Sequence, residues 1–240
     1  MHQLRIVLGC CFSLAAFQAS AASLQVEPVL IEVGAPAATS TIKLRNDGAS
    51  PIVAQLRVYR WSQTDGVEKL EPTDTVVASP PAATLAQGGA HVVRLVRVAK
   101  EPVQREESYR LLIDQLPNAS AQRNGSVNLI IRHSIPVFFK PRDQGAASIA
   151  WSAQVSKNNL IVTARNSGDR RLRIAALHIR DAKGSSINFG DGLIGYALGG
   201  STMRWTTPLG KRAFAHGQAT ISAQGDTGAV HAVATIQPSK

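Results

Sequence analysis

The sequence predicts an all-β protein made of two β-sandwiches in tandem, and three observations carry that reading. Short strand-like runs recur along the 240 residues: "TIKLRN", "IVAQLRVYRW", "HVVRLVRV", "YRLLIDQL", "NLIVTARN", "LRIAALHIR" and "AVHAVATIQ". Turn signals separate them, namely Asn46-Asp47-Gly48, Asp65-Gly66, Gly88-Gly89, Asn124-Gly125 and Lys183-Gly184. A faint internal repeat relates "IKLRNDGASPIVAQLRVYR" (42–60) to "IVTARNSGDRRLRIAALHIR" (161–180). Both read strand, Arg-Asn-x-Gly turn, strand, and Arg45 and Arg165 stand 120 residues apart. That interval is the size of one sandwich domain. No helical stripe competes, because Gly, Pro and Ser break the Ala-rich pieces.

Residues 1–21 are set apart as a secretory signal peptide. Arg5 is the only charge before Glu27, the apolar run "IVLGCCFSLAAF" follows it, and Ala19-Ser20-Ala21 forms an A-x-A cleavage site. The run is too short to cross a bilayer, and no other segment has about 18 uninterrupted apolar residues, so membrane insertion is not expected. The first sandwich is expected over 22–142 and the second over 143–240. The boundary falls in "KPRDQGAAS" (140–148), which is polar and carries Pro and Gly.

Both cysteines, Cys10 and Cys11, lie within the signal, so a core rather than disulfides must hold the mature chain. Loss of Arg5 leaves 25 basic residues against 16 acidic, a net charge of +9. The bases are scattered, with "DRRLR" the densest cluster, and export argues against nucleic acid as a partner. "GDGLIG" (190–195) fits G-x-G-x-x-G, but "YALGGSTMRW" after it cannot be the helix that dinucleotide binding needs. His91, His133, His178, His216 and His231 have no metal-ligand spacing. No G-x-S-x-G motif or paired carboxylates mark a catalytic site. The residues thus read as a non-enzyme with no cofactor and no metal.

The stretch "SVNLIIRHSIPVFFKP", Ser126 to Pro141, is the most informative. Val127, Leu129 and Ile131 alternate with Asn128, Ile130 and Arg132, the pattern of a half-buried strand. Pro136 cannot donate to a ladder, so this strand should lie at a sheet edge or bend there. An apolar edge is an aggregation hazard. Either it is an inner strand covered by its own domain, or another chain pairs with it.

With the signal, "SPPAATLAQGGAHVVRL" (79–95), "ESYRLLIDQLP" (107–117), "SIPVFFKP" (134–141) and "GYALGGSTMRW" (195–205) together resemble the periplasmic chaperones of the chaperone–usher pilus pathway, the PapD-like family. The resemblance implies two immunoglobulin-like sandwiches in a boomerang arrangement, with a cleft between them. It implies a periplasmic location, pilin subunits and an outer-membrane usher as partners, and no cofactor. It also implies donor-strand complementation: residues 126–135 would be lent to an incomplete pilin sandwich, with Val127, Leu129 and Ile131 entering its groove.

The family also anchors the subunit's C-terminal carboxylate on basic residues. The positions that carry them in the common form align here with Pro28 and Pro136, which offer no side-chain donor. The pattern is closer to the archaic or alternative branch, and the resemblance then implies Arg110 in "YRLLID" with Lys140 as its basic partner. Arg132 is the alternative to Lys140. On the residues alone, Arg110 could instead pair with Glu106, Glu107 or Asp114, and Lys140 could be a solvated strand end. The alternative function is a secreted structural or adhesive protein with the same fold, including one that binds carbohydrate.

Overall fold

The computed structural model describes residues 24–116, 131–143, 145–210 and 212–237. The expected signal peptide, the Asn124-Gly125 turn, Val127 and Leu129 lie outside the described residues. Among the described residues there are strands and turns but no α-helix. The first ten strands are β1 (Leu24–Glu27), β2 (Ile31–Gly34), β3 (Thr39–Asn46), β4 (Ile52–Thr64), β5 (Val67–Pro72), β6 (Val76–Ser79), β7 (Ala82–Leu85), β8 (Ala90–Arg97), β9 (Glu107–Leu116) and β10 (Arg132–Lys140). The remaining eight are β11 (Ile149–Ser156), β12 (Asn159–Asn166), β13 (Leu172–Asp181), β14 (Ser186–Asn188), β15 (Leu193–Ala197), β16 (Thr202–Pro208), β17 (Gly217–Gln224) and β18 (Ala229–Gln237).

The fold is a pair of immunoglobulin-like sandwiches. In the first, sheet order β1-β3-β8-β6 faces β2-β10-β9-β4-β5, with β7 also pairing with β4. Their inner rows meet in one core, built on Ile42, Leu44, Val93, Leu95, Tyr109, Leu111, Ile113, Val137 and Phe139. In the second, β14-β13-β17-β18-β11-β12-β16 form one continuous ladder, with β15 also on β13, around a separate core that includes Leu160, Val162, Leu177, Ile179 and Ile221. Each sandwich joins an early strand to its last strand in parallel: β2 to β10 in the first, β11 to β18 in the second.

Local chemistry explains the turns. Asp65 and Gly66 are the two loop residues between β4 and β5, with φ of 56° and 84°. Positive φ at both positions is the type I′ hairpin geometry that Asp-Gly favours. The internal repeat proves to be one structural device used twice. Asn46 and Asn166 end β3 and β12 and are almost fully buried, at 0% and 1% exposure. The Asn46 amide donates to Ser50 O (2.8 Å), Leu85 O (3.2 Å) and Ala86 O (3.1 Å), and its Oδ1 accepts from Gly48 N at 2.9 Å. Asn166 repeats this with Arg170 O (2.7 Å), Ala197 O (3.0 Å) and Gly168 N (3.0 Å). Each amide bonds carbonyls of its own turn and of a distant segment, tying the two together.

The sequence expected Pro136 to interrupt its strand. Instead β10 runs through Pro136 to Lys140, and Pro136 stands just before the ladder to β2 begins at Val137, so its missing donor costs no pairing there. β5, with all six residues exposed, has no apolar alternation and left no signal.

Asn46→Ala and Asn166→Ala should each destabilise the protein by about 2–4 kcal/mol, since several buried partners lose their bonds at once. Urea unfolding monitored by circular dichroism measures this. The two values should agree within a factor of about two if the device is the same in both sandwiches.

Candidate functional site

The site begins with an uncovered backbone edge. β10 pairs with β9 from Arg132 to Phe139, but β2 covers its other side only from Val137 to Lys140. Among the described residues, Arg132–Pro136 therefore has no partner on its outer edge. The inward row of β10 is Ile135, Val137 and Phe139, all buried in the first core. A strand alternates with period two, so His133 and the half-buried Ile131 continue this row toward the chain's uncovered end. Leu129 and Val127 lie outside the described residues.

The opposite face of this sheet meets the second sandwich. Trp61 of β4, Phe138 of β10 and Tyr196 of β15 form an aromatic triangle with centroid separations of 5.8, 5.5 and 5.7 Å, and Leu198 and Leu30 complete the cluster. Gln63 extends the junction as a surrogate strand residue. Its Nε2 donates to Tyr196 O (2.7 Å) and its Oε1 accepts from Leu198 N (2.9 Å). At Gly66, a Cβ would lie 2.6 Å from Arg204 Cγ, so the β4–β5 turn needs glycine to sit against β16.

Arg110 lies on this face directly opposite Pro136. Its guanidinium stacks 3.8 Å from the Trp61 ring centroid, and its nearest carboxylate is Glu68 of β5, at 3.6 Å. Burial lowers the pKa of Arg110, and the Glu68 charge opposes that shift. None of Glu106, Glu107 or Asp114, the partners the sequence offered, pairs with it: Glu106 is held by Arg171, Glu107 by Arg97, and Asp114 by Arg57 and Arg132. The alternative anchor Arg132 is thus already committed to Asp114.

Lys140 is not a solvated strand end. Its side chain is 16% exposed, and Nζ lies 3.4 Å from Glu32 Oε2. Glu32 also binds Arg171, which binds the buried Glu106 as well. Arg171 is 1% exposed at its side chain and lies 3.7 Å over the Phe138 ring. Arg110 and Lys140 share one face but stand four residues apart in the register, about 13 Å along the strand. Phe138 lies between them. Arg171, the central cation here, sits in the "DRRLR" cluster. Nothing in the sequence marked it, because Glu32 is 139 residues away and Glu106 is 65.

A family model described as pili and flagellar-assembly chaperone, PapD N-terminal domain, matches residues 23–144. The chain belongs to this pilus chaperone family. No curated protein matches it by sequence. Solved structures carry the likeness across both sandwiches. One belongs to the CsuC–CsuE chaperone–tip adhesion subunit pre-assembly complex from archaic Csu pili of Acinetobacter baumannii, with TM-score 0.67 and 22% identity, covering 91% of this chain and 100% of that one. Another belongs to the Salmonella enterica SafA pilin–SafB chaperone complex, with TM-score 0.60 and 20% identity, covering 89% and 97%. The Pseudomonas aeruginosa CupB2 chaperone gives TM-score 0.55 at 15% identity, covering 89% and 100%. At these identities the solved structures speak to the fold of this pilus chaperone.

Removing Arg171 should strand the Glu106 carboxylate, which is 3% exposed. Arg171→Met is therefore expected to cost about 3–5 kcal/mol in chemical denaturation, and Arg171→Met/Glu106→Gln to recover much of it.

The pH dependence has a fixed sign. Burial raises the Glu32 carboxyl, but the hydrogen bond and charge of Arg171, then Lys140, outweigh it and hold the pKa below its ordinary value. Burial likewise raises Glu107, while Arg97 and Tyr109 bring it lower overall. A depressed folded pKa means the unfolded chain binds more protons, so this stability is full above the ordinary carboxylate range and lost as pH falls through it. Melting temperature should drop between about pH 5 and pH 3, and less steeply in Arg171→Met, which lacks the cation that depresses Glu32.

Proposed function

We propose that this chain is a periplasmic chaperone that holds pilin subunits by donor-strand complementation and hands them to an outer-membrane usher. The observation that carries the reading is that, among the described residues, the outer edge of β10 over Arg132–Pro136 has no partner, next to a sequence stretch in which Val127, Leu129 and Ile131 alternate as apolar residues. A pilin lacking its last strand offers what this edge needs: an apolar groove for alternate side chains and backbone groups to pair. Burial of three such side chains stabilises the complex by roughly 5–9 kcal/mol before ordering costs. Family membership supports the chaperone role, and the archaic CsuC complex among the structural neighbours supports the archaic or alternative branch.

In this reading the signal peptide is 1–21, the chaperone domain that lends the strand is 22–142, and the second domain is 143–240. Arg110 anchors the subunit's C-terminal carboxylate, with Lys140 the second basic residue. What supports the role for Arg110 is its setting: it stands on the interdomain face in register with Pro136, where proline offers no donor, and its half-buried guanidinium is stacked on Trp61. Its fork can take a carboxylate in a bidentate pair.

Leu129→Glu should abolish co-purification with a pilin while leaving the melting temperature of the free chaperone unchanged, because the charge would have to enter an apolar groove. A large drop in melting temperature would mean that Leu129 belongs to the chaperone's own core. Arg110→Ala should weaken subunit binding by about 2–5 kcal/mol, and blocking the pilin carboxylate should add little to that loss in a double-mutant cycle. Binding equal to the wild type would remove Arg110 from the site.

A further inference from the structure

Neither cation of the proposed anchor is free: Glu68 lies against Arg110 and Glu32 against Lys140. The two glutamates are held differently. Glu32 is also bound by the buried Arg171, so it stays in place whatever Lys140 does. Glu68 makes no other ion pair among the described residues. Its side chain is 37% exposed, and it stands on β5, whose only ladder among the described residues is to β4. Rotation of one side chain is enough to release it.

The contact it makes is also weak. At 3.6 Å the two groups attract as charges but are beyond good hydrogen-bond distance. Arg110 is buried enough that its charge needs an anion, and Glu68 supplies one from 3.6 Å, too far for a good hydrogen bond to the donor fork. An arriving carboxylate that engages the fork with two hydrogen bonds makes the stronger interaction. On a bare arginine it would gain the whole attraction; here it gains only the difference.

We propose that Glu68 is an exchangeable internal carboxylate: it holds Arg110 over Trp61 in the empty protein, gives way to a ligand carboxylate, and so sets the affinity of the site for carboxylate termini. This rests on the reading of Arg110 as the anchor. Strand β5 thereby becomes a determinant of affinity although it lies outside the lent strand. The exchange keeps Arg110 stacked and neutralised in both states, so the site never presents a naked buried cation.

The test uses the mature chain and sodium acetate as the probe, with acetamide as the uncharged control and chloride holding ionic strength constant. The Arg110 Nε–H and Trp61 indole N–H resonances report occupancy. Glu68→Gln should lower the half-saturating acetate concentration five-fold or more. Glu71→Gln removes the same charge from the other face of β5, opposite Arg60, and should change it less than two-fold. Acetamide should shift neither signal. An unchanged or higher half-saturation in Glu68→Gln overturns the proposal, as does the absence of any acetate response at Arg110 in that variant. Glu68→Ala repeats the measurement without the amide, so a new hydrogen bond from Gln cannot mimic the result. Subunit capture by Arg110→Ala separates the two readings. If capture is lost while Glu68→Gln binds acetate like the wild type, the anchor stands and the exchange falls. If Arg110→Ala captures subunits normally, the anchor itself falls.

Discussion

The buried Arg171 is the interaction on which the site depends. It belongs to the second sandwich, yet both of its carboxylate partners, Glu32 and Glu106, belong to the first. A guanidinium so enclosed is tolerable only with its charges paired, and its removal leaves a buried carboxylate behind. The pair is therefore a directional lock rather than a general adhesive. It fixes the second sandwich over the Phe138 face of the first, and its own stacking on Phe138 makes the lock part of the aromatic cluster.

That docking decides the environment of everything else on the face. Trp61 is buried between Phe138 and Tyr196, and Arg110 gains its platform because Trp61 is held in place. Gln63 reads backbone groups of the second sandwich as a strand would, which gives the junction a register as well as area. Charge on this face is balanced internally, with Glu32 and Glu68 already against Lys140 and Arg110. A ligand that binds there competes with these partners rather than with water alone.

The opposite constraint governs the edge of β10. From Ile135 to Phe139 the strand is buried on both faces, while Arg132 and Ser134 are exposed, and among the described residues β2 stops short and leaves the outer backbone edge of Arg132–Pro136 without a partner. A strand anchored at one end with its backbone open at the other is a template for another strand. The Arg57–Asp114–Arg132 pairs place charge beside this edge, a common way to discourage indiscriminate pairing.

The sequence by itself determined the strands whose alternation is strong. β12 and β18 were legible to the residue, and β3, β4, β8, β9 and β13 to within a few residues at their ends. It also determined the Asn46 and Asn166 turns and the oddity of the stretch from Ser126 to Pro141. Period-two patterning and turn chemistry are local, so they survive in one dimension. The tertiary structure alone decided the partners. Arg110 meets Glu68 from a strand with no apolar pattern, and Arg171 reaches Glu32 across 139 residues. A charge carries no mark of its counter-charge in the chain. The pairing follows from sheet register and from how one sandwich sits on the other, and both are set by cores that contain neither residue.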